Sequence, residues 1–261
     1  MTIPPFQLLR ADEEPAFAIH RPAGASAFFF TCDHASRRIP ARLGDLGLPE
    51  SELVRHIAWD IGIEPVARRL ADALDGTLVL QRYSRLVIDC NRPPAVAASI
   101  PVISERTAIP GNENLNEAER AARVREIFEP YHRAIATELD NRQDAGRPTI
   151  LIAMHSFTPV YAGVARPWHI GMLYRANGPD TRLAGALLKL LREEKGLVVG
   201  DNEPYAVSDQ TDYGIPVHAE KRGLPHVGIE IRQDLIAEEK GQREWAERLA
   251  RLLPRAVELL A

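Results

Sequence analysis

Two histidines, a glutamate and an asparagine–arginine pair occur in this chain where apolar runs end or are interrupted. His34 follows Phe28-Phe29-Phe30-Thr31-Cys32-Asp33, His155 follows Ile150-Leu151-Ile152-Ala153-Met154, and Asn91-Arg92 follows Leu86-Val87-Ile88-Asp89-Cys90. Glu230 lies inside Val227-Gly228-Ile229-Glu230-Ile231. Two imidazoles and a carboxylate with an open fourth position form the usual donor set of a catalytic zinc ion, which lowers the pKa of its water to about 7. A glutamate between isoleucines is costly unless it has a partner or a task. Each residue alone also fits a satisfied core position. Their shared placement at strand ends is what points to one crevice.

The elements that must carry these groups alternate between strand and helix. The spacing predicts strands over 26–32, 77–81, 85–89, 149–154, 169–174, 197–200 and 226–232, with His34, Asn91, His155 and Glu230 at or near their ends. Helical spacing covers 49–74, broken near Asp60-Ile61-Gly62, so that Asp60 falls between two helical pieces. A second helix runs from Asn116 to about Asn141, opened by a capping box with Glu119 and disturbed by Pro130. Helices over 180–195 and 235–260 follow, the last with Trp245, Leu249, Leu252, Val257 and Leu260 turned inward. Residues 1–24 read as an irregular arm with a possible edge strand. The proline-interrupted 94–114 reads as a long loop, and 201–225 as loop with a helical turn near His218. The predicted fold is α/β, a three-layer α/β/α sandwich with a central, mostly parallel mixed sheet, formed by a single domain over 1–261.

Composition narrows the partners. The chain has 261 residues, 45% hydrophobic and 26% charged, with a net charge of -4 and a pI near 6.1. No run of Lys or Arg offers a footprint for nucleic acid or anionic lipid, so small molecules are the expected ligands. The first residues lack an apolar h-region and no window reaches the length of a membrane span, which predicts a cytoplasmic protein. Cys32 and Cys90 cannot build a disulfide framework and read as small buried residues.

The ordered motifs Asp33-His34 with Ile39-Pro40, Asp60-Ile61-Gly62, Arg82-Tyr83-Ser84-Arg85 through Asn91-Arg92, His155-Ser156-Phe157 and Gly228-Ile229-Glu230-Ile231-Arg232 resemble the N-formylglutamate amidohydrolase family. That family is related to the zinc carboxypeptidases and the aspartoacylase-like deacylases. The resemblance implies a zinc-peptidase-like α/β fold and hydrolysis of the amide bond of an N-acyl amino acid. It implies His34 and His155 as ligands of a divalent ion, most simply Zn2+, with Ser156 following as in the carboxypeptidases. The related pattern His-x-x-Glu is broken here by Arg37, which cannot bind a cation. Asp60 is the replacement ligand, with Asp33 second; Asp60 also fits as a cap of the helix beginning near Gly62.

By the same resemblance, Asn91 and Arg92 grip a substrate carboxylate through the bidentate guanidinium fork, and Glu230 is the general base. Arg85 and Arg232 are further candidates for a second carboxylate, Arg232 equally fitting a surface ion pair. Tyr83 and Tyr205 fit either the pocket or packing. The expected substrate is a small acidic N-acyl amino acid, N-formylglutamate foremost. Competing readings are a peptidase or deacylase with another acyl group, and a non-catalytic binding protein on the same fold.

Overall fold

In the computed structural model, which describes residues 6–260, an edge strand β1 (Phe17–His20) precedes the first central strand, β2 (Phe28–Cys32). All five residues of β2 are buried, as expected of a strand covered on both faces. A short α1 (Glu50–Leu53) and the longer α2 (Ile63–Ala73) lead to β3 (Thr77–Gln81). A small hairpin of β4 (Ile103–Ser104) and β5 (Thr107–Ala108) interrupts the loop before α3 (Glu117–Arg123) and α4 (Glu129–Asp144). The long buried strand β6 (Ile150–Phe157) runs into a second hairpin, β7 (Val160–Tyr161) with β8 (Val164–Ala165). Strand β9 (Ile170–Leu173), helix α5 (Arg182–Arg192), strands β10 (Val199–Asp201) and β11 (His226–Arg232), and helix α6 (Glu239–Glu258) follow.

The seven-stranded sheet has the order β1-β3-β2-β6-β11-β9-β10. β3, β2, β6 and β11 are parallel, while β1 and β9 run antiparallel to their inner neighbours. From β2 the chain moves to β3 on one side and returns as β6 on the other, so β2 and β6 flank a topological switch point. Helices cover both faces: Val66, Leu70, Leu187 and Leu249 of α2, α5 and α6 pack on one, Tyr131, Ile135 and Leu139 of α4 on the other. A crevice therefore opens at the carboxyl ends of β2 and β6. His34 and His155 stand there.

Three local results bear on the site. The predicted strand over 85–89 is a buried turn instead. The Ser84 hydroxyl donates to the Ala58 carbonyl and accepts from the Leu86 N–H, and the Asp89 N–H goes to Ser99 O, so no ladder forms. Leu86, Val87 and Ile88 are apolar because they are core, not because they are strand. The helix predicted from Asn116 does open with a capping box shared with Glu119, but a π-turn over Val124–Phe128 separates α3 from α4, just ahead of Pro130, which has no N–H to give. The break at 60–62 is also present. Gly62 has φ +78° and a Cβ there would lie 2.1 Å from the Ile236 carbonyl oxygen, so only glycine fits. Cys32 and Cys90 are buried free thiols, and no helix of the described residues is long and apolar enough to cross a membrane.

Candidate active site

Asp60 is the hub. The loop after β2 and the loop before α2 are tied by the Asp60 N–H donating to the His34 carbonyl at 3.0 Å, which brings both side chains to the end of β6. Asp60 Oδ2 lies 3.3 Å from His34 Nδ1 and 3.1 Å from His155 Nδ1, and it accepts the Ser156 N–H at 3.2 Å. All three side chains are buried. The Asp60 carboxylate makes no cap to α2; its oxygens belong to the histidines, Ser156 and Arg85. Arg37, by contrast, points outward to Glu50.

Each imidazole presents Nδ1 to Asp60 and Nε2 to another carboxylate. His34 Nε2 is 2.7 Å from Asp89 Oδ1, and His155 Nε2 is 3.8 Å from Asp33 Oδ2. Asp33 in turn accepts the Tyr131 hydroxyl through Oδ1, leaving Oδ2 buried and without a partner. A carboxylate behind a histidine is the arrangement that fixes the tautomer and orientation of metal-binding imidazoles. Zinc–ligand bonds of about 2.0–2.2 Å in a tetrahedron separate ligand atoms by roughly 3.3–3.5 Å. The spacings of 3.1 and 3.3 Å around Asp60 Oδ2 suit that requirement, and the ligand atoms of His34, Asp60 and His155 lie within 4.8 Å of one another.

The charge balance points the same way. Four carboxylates, Asp33, Asp60, Asp89 and Glu230, are gathered here; Arg85 donates to Asp89 Oδ2 at 2.6 and 3.1 Å and to Asp60 Oδ1 at 3.4 Å, while Asp33 Oδ2 and Glu230 Oε2 have no hydrogen-bond partner. Burial would lower the His155 imidazole, but the Asp60 hydrogen bond and the charges of Asp60, Glu230 and Asp33 raise it to about 9. His34 is also raised, Asp89 and Asp60 outweighing burial and Arg85. Burial pushes Asp60 up, yet the two imidazoles hold it well below the usual carboxylate range. A donor set with this excess of negative charge calls for a cation, and these residues fit a divalent metal ion.

Glu230 is the register partner of His155 on the adjacent parallel strand. Val227, Ile229 and Ile231 turn into the core beneath α2, α5 and α6, so the alternation sends Glu230 to the face that carries His155. Its side chain is buried and Oε2 has no partner. Burial foremost, with Asp60 adding and His155 opposing, raises its carboxyl to about 7.

These groups line a cavity of about 580 Å³. His34, Asp60, Arg85, Asn91, Arg92, His155, Ser156 and Glu230 all contribute to its wall. Not all are free to meet a ligand. The Asn91 amide donates to Asp212 and accepts the N–H groups of Tyr213 and Gly214, so it props the 212–214 segment against the cavity. The Ser156 hydroxyl is taken by the Ile61 carbonyl. Arg232 lies outside the lining, where its guanidinium pairs with Asp234 and the Pro167 carbonyl. Tyr83 is core, its hydroxyl donating to Glu14 O, whereas Tyr205 reaches the cavity.

The sequence reading passed over Asp89, Arg166 and Tyr161, all of which line the cavity. Asp89 has a signal, a carboxylate directly after Leu86-Val87-Ile88, but that apolar run fits a strand equally well. Arg166 had none: it follows a short hairpin of small and exposed residues.

Comparison with known proteins gives a consistent picture. A model of the N-formylglutamate amidohydrolase family matches residues 26–237. An N-formylglutamate deformylase of Pseudomonas putida is 26% identical over 170 residues, a match that spans 61% of this chain and 59% of the relative's own length. The crystal structure of a gene product of Agrobacterium tumefaciens, 40% identical, superimposes with a TM-score of 0.93 over 97% of this chain and 99% of that one. An N-formylglutamate amidohydrolase from Ralstonia eutropha JMP134, 20% identical, shares the fold with a TM-score of 0.69 over 94% of this chain and 98% of its own. The family model encloses His34, Asp60, Asp89, His155 and Glu230 within one continuous match, and the chain belongs to the N-formylglutamate amidohydrolase family.

Proposed function

We propose that this protein hydrolyses the amide bond of N-formylglutamate, releasing formate and glutamate, with a divalent ion held by His34, Asp60 and His155. The observation that carries the reading is the convergence of three buried donor atoms beside the unpartnered carboxylate of Glu230. Zinc suits two imidazoles and a carboxylate, and when bound it supplies a Lewis acid and activates water at neutral pH.

The chain's own residues do the rest. Asp89 holds the outer nitrogen of His34 by a hydrogen bond, and Asp33 stands 3.8 Å behind that of His155, which favours Nδ1 of each facing the site. Glu230 takes a proton from the attacking water as its oxygen bonds to the formyl carbon. It then returns that proton to the amide nitrogen as the C–N bond breaks, so the amine leaves neutral beside formic acid, which gives up its own proton to solvent and becomes formate. A carboxyl raised to about 7 is suited to both transfers near neutral pH. Arg92, whose single bond is from Nη1 to its neighbour's carbonyl at 3.4 Å, has its fork available for the α-carboxylate.

The test is metal analysis of protein purified without chelator, followed by assay against N-formyl, N-acetyl and peptide substrates. About one zinc per chain and formate release from N-formylglutamate are expected. Absence of stoichiometric metal together with no amide hydrolysis would sink the reading; a preference for N-acetyl or peptide substrates would move the protein to the deacylases or peptidases.

A further inference from the structure

Besides His34 and His155, four basic side chains line the cavity: His56, Arg85, Arg92 and Arg166. They differ in how far the protein already neutralises them. His56 is held toward its neutral form, burial being the main cause. Arg85 is committed to Asp89 and Asp60. Among the described residues no carboxylate stands within ion-pair distance of Arg92 or Arg166. The cavity therefore holds two guanidinium groups that form no ion pair, Arg92 close enough to Asp89 to act on its charge and Arg166 farther from the carboxylates.

Arg166 is placed with care. It follows the β7–β8 hairpin, which its own N–H closes by donating to the Pro159 carbonyl at 2.8 Å. The hairpin tip is anchored across the cavity mouth, where the Ala162 N–H donates to Glu105 Oε1 at 2.9 Å. The guanidinium lies over the Tyr161 ring at 4.6 Å and the Tyr205 ring at 4.9 Å. Two aromatic faces hold the plane of the group by cation–π attraction and leave its N–H edge to bond elsewhere. At one end of that edge Nη1 is buried and has no hydrogen-bond partner. A buried donor of this kind is costly without an acceptor.

Resting on the hydrolase reading above, we infer that Arg166 binds the side-chain carboxylate of the substrate and makes the enzyme selective for N-acyl derivatives of dicarboxylic amino acids. Arg92 takes the α-carboxylate, Arg166 the second, and the amide bond lies toward His34, Asp60 and His155. Arg85 and Arg232, the sequence candidates for the second carboxylate, are occupied by Asp89 and Asp60 and by Asp234 respectively. A planar, bidentate acceptor is the ligand chemistry that matches a guanidinium whose faces are already covered.

The experiment compares N-formyl-L-glutamate with its near-isosteric neutral analogue N-formyl-L-glutamine in the parent, Arg166→Met and Arg166→Lys. The methionine keeps an apolar stem between the tyrosines and removes the charge. The lysine keeps the charge and removes the fork, and carries the test if Arg166→Met fails to fold. Charged hydrogen bonds of this kind set an expected loss of roughly 10–10²-fold in kcat/KM for the glutamate substrate in Arg166→Met. The glutamine substrate should change little, so that the preference collapses, with Arg166→Lys between the two. Equal losses on both substrates, or an unchanged preference, overturn the inference while leaving the hydrolase reading intact. Binding of free L-glutamate and L-glutamine, measured by calorimetry in the same proteins, needs no turnover. If the parent hydrolyses neither substrate but binds glutamate in preference and Arg166→Met loses that preference, the hydrolase reading fails and the role of Arg166 stands. If glutamate binds no better than glutamine in the parent, Arg166 is not a carboxylate reader.

Discussion

Glu230 and His155 are register partners on adjacent parallel strands, and their side chains stand on the same face at the carboxyl end of the sheet. The pairing places an unpartnered carboxylate beside an imidazole that is itself fastened to Asp60 at 3.1 Å. One strand register thus fixes the distance between the proposed base and the proposed metal ligands. Glu230→Gln preserves size and reach but removes the proton acceptor. Metal content should survive while kcat falls by about 10²–10⁴-fold. Loss of metal in this variant would make Glu230 a ligand, and full activity would make it a structural carboxylate.

Asp60 touches both histidines, whereas Asp33 stands behind His155 at 3.8 Å. Asp60→Asn should therefore weaken zinc binding more than Asp33→Asn, and His155→Ala should abolish stoichiometric zinc. Metal content by elemental analysis and affinity by competition with a chelating dye give the order. The reverse order for the two aspartates would move the ligand to Asp33.

Asp89 holds His34 Nε2 at 2.7 Å and Arg85 at 2.6 Å without facing Asp60 Oδ2 itself. Carboxylates in that position tune metal affinity by about 10–100-fold. Asp89→Asn should weaken zinc by that order and leave the stoichiometry intact at saturating metal. An unchanged affinity would show that Asp89 serves the fold and not the site.

The sequence made the strand-end groups legible because their positions follow from periodicity. His34 and His155 end apolar runs, Glu230 interrupts an alternating one, and Asp60 sits where helical spacing breaks at a glycine that nothing else can replace. What stayed hidden depends on tertiary placement. Leu86, Val87 and Ile88 are buried in a turn, which periodicity cannot tell from a buried strand, and this hides the role of Asp89. Arg232 follows Glu230 by two residues and shares its face of the strand, but Asp234 and the Pro167 carbonyl lie within its reach and claim it. Arg166 gains its meaning only from two tyrosines forty-four residues apart, Tyr161 and Tyr205, whose rings are both brought against its guanidinium.

Arg92 should read the α-carboxylate. Arg92→Lys keeps the charge but cannot reproduce the planar fork, so kcat/KM should drop sharply for substrates with a free α-carboxylate. α-Amidated substrates should lose far less. Equal losses on both would remove Arg92 from carboxylate recognition.

A last prediction concerns stability away from the proposed metal ligands. His132 Nε2 lies 2.8 Å from the Cys90 carbonyl and His132 Nδ1 lies 2.9 Å from His218 Nε2. A carbonyl only accepts, so His132 carries its proton on Nε2 and accepts at Nδ1 from the His218 Nε2–H. The chain of bonds holds with both rings neutral. Burial, then the neighbouring His218, lowers His132 to about 3. Burial, then Arg222 and Lys221 against an opposing Asp140, lowers His218 to about 4. Both folded-state values lie below the unfolded value of about 6.5, so the unfolded chain binds more protons as pH falls, and stability declines from about pH 6.5 down toward those values. Between pH 7 and pH 5 each histidine should cost about 2 kcal/mol. Urea unfolding at the two pH values reads this directly. His218→Gln can still donate to His132 Nδ1 without titrating, so its stability should fall less steeply than the parent's. An identical slope in parent and variant would show that His218 is already protonated in the folded protein or does not contribute to its acid sensitivity.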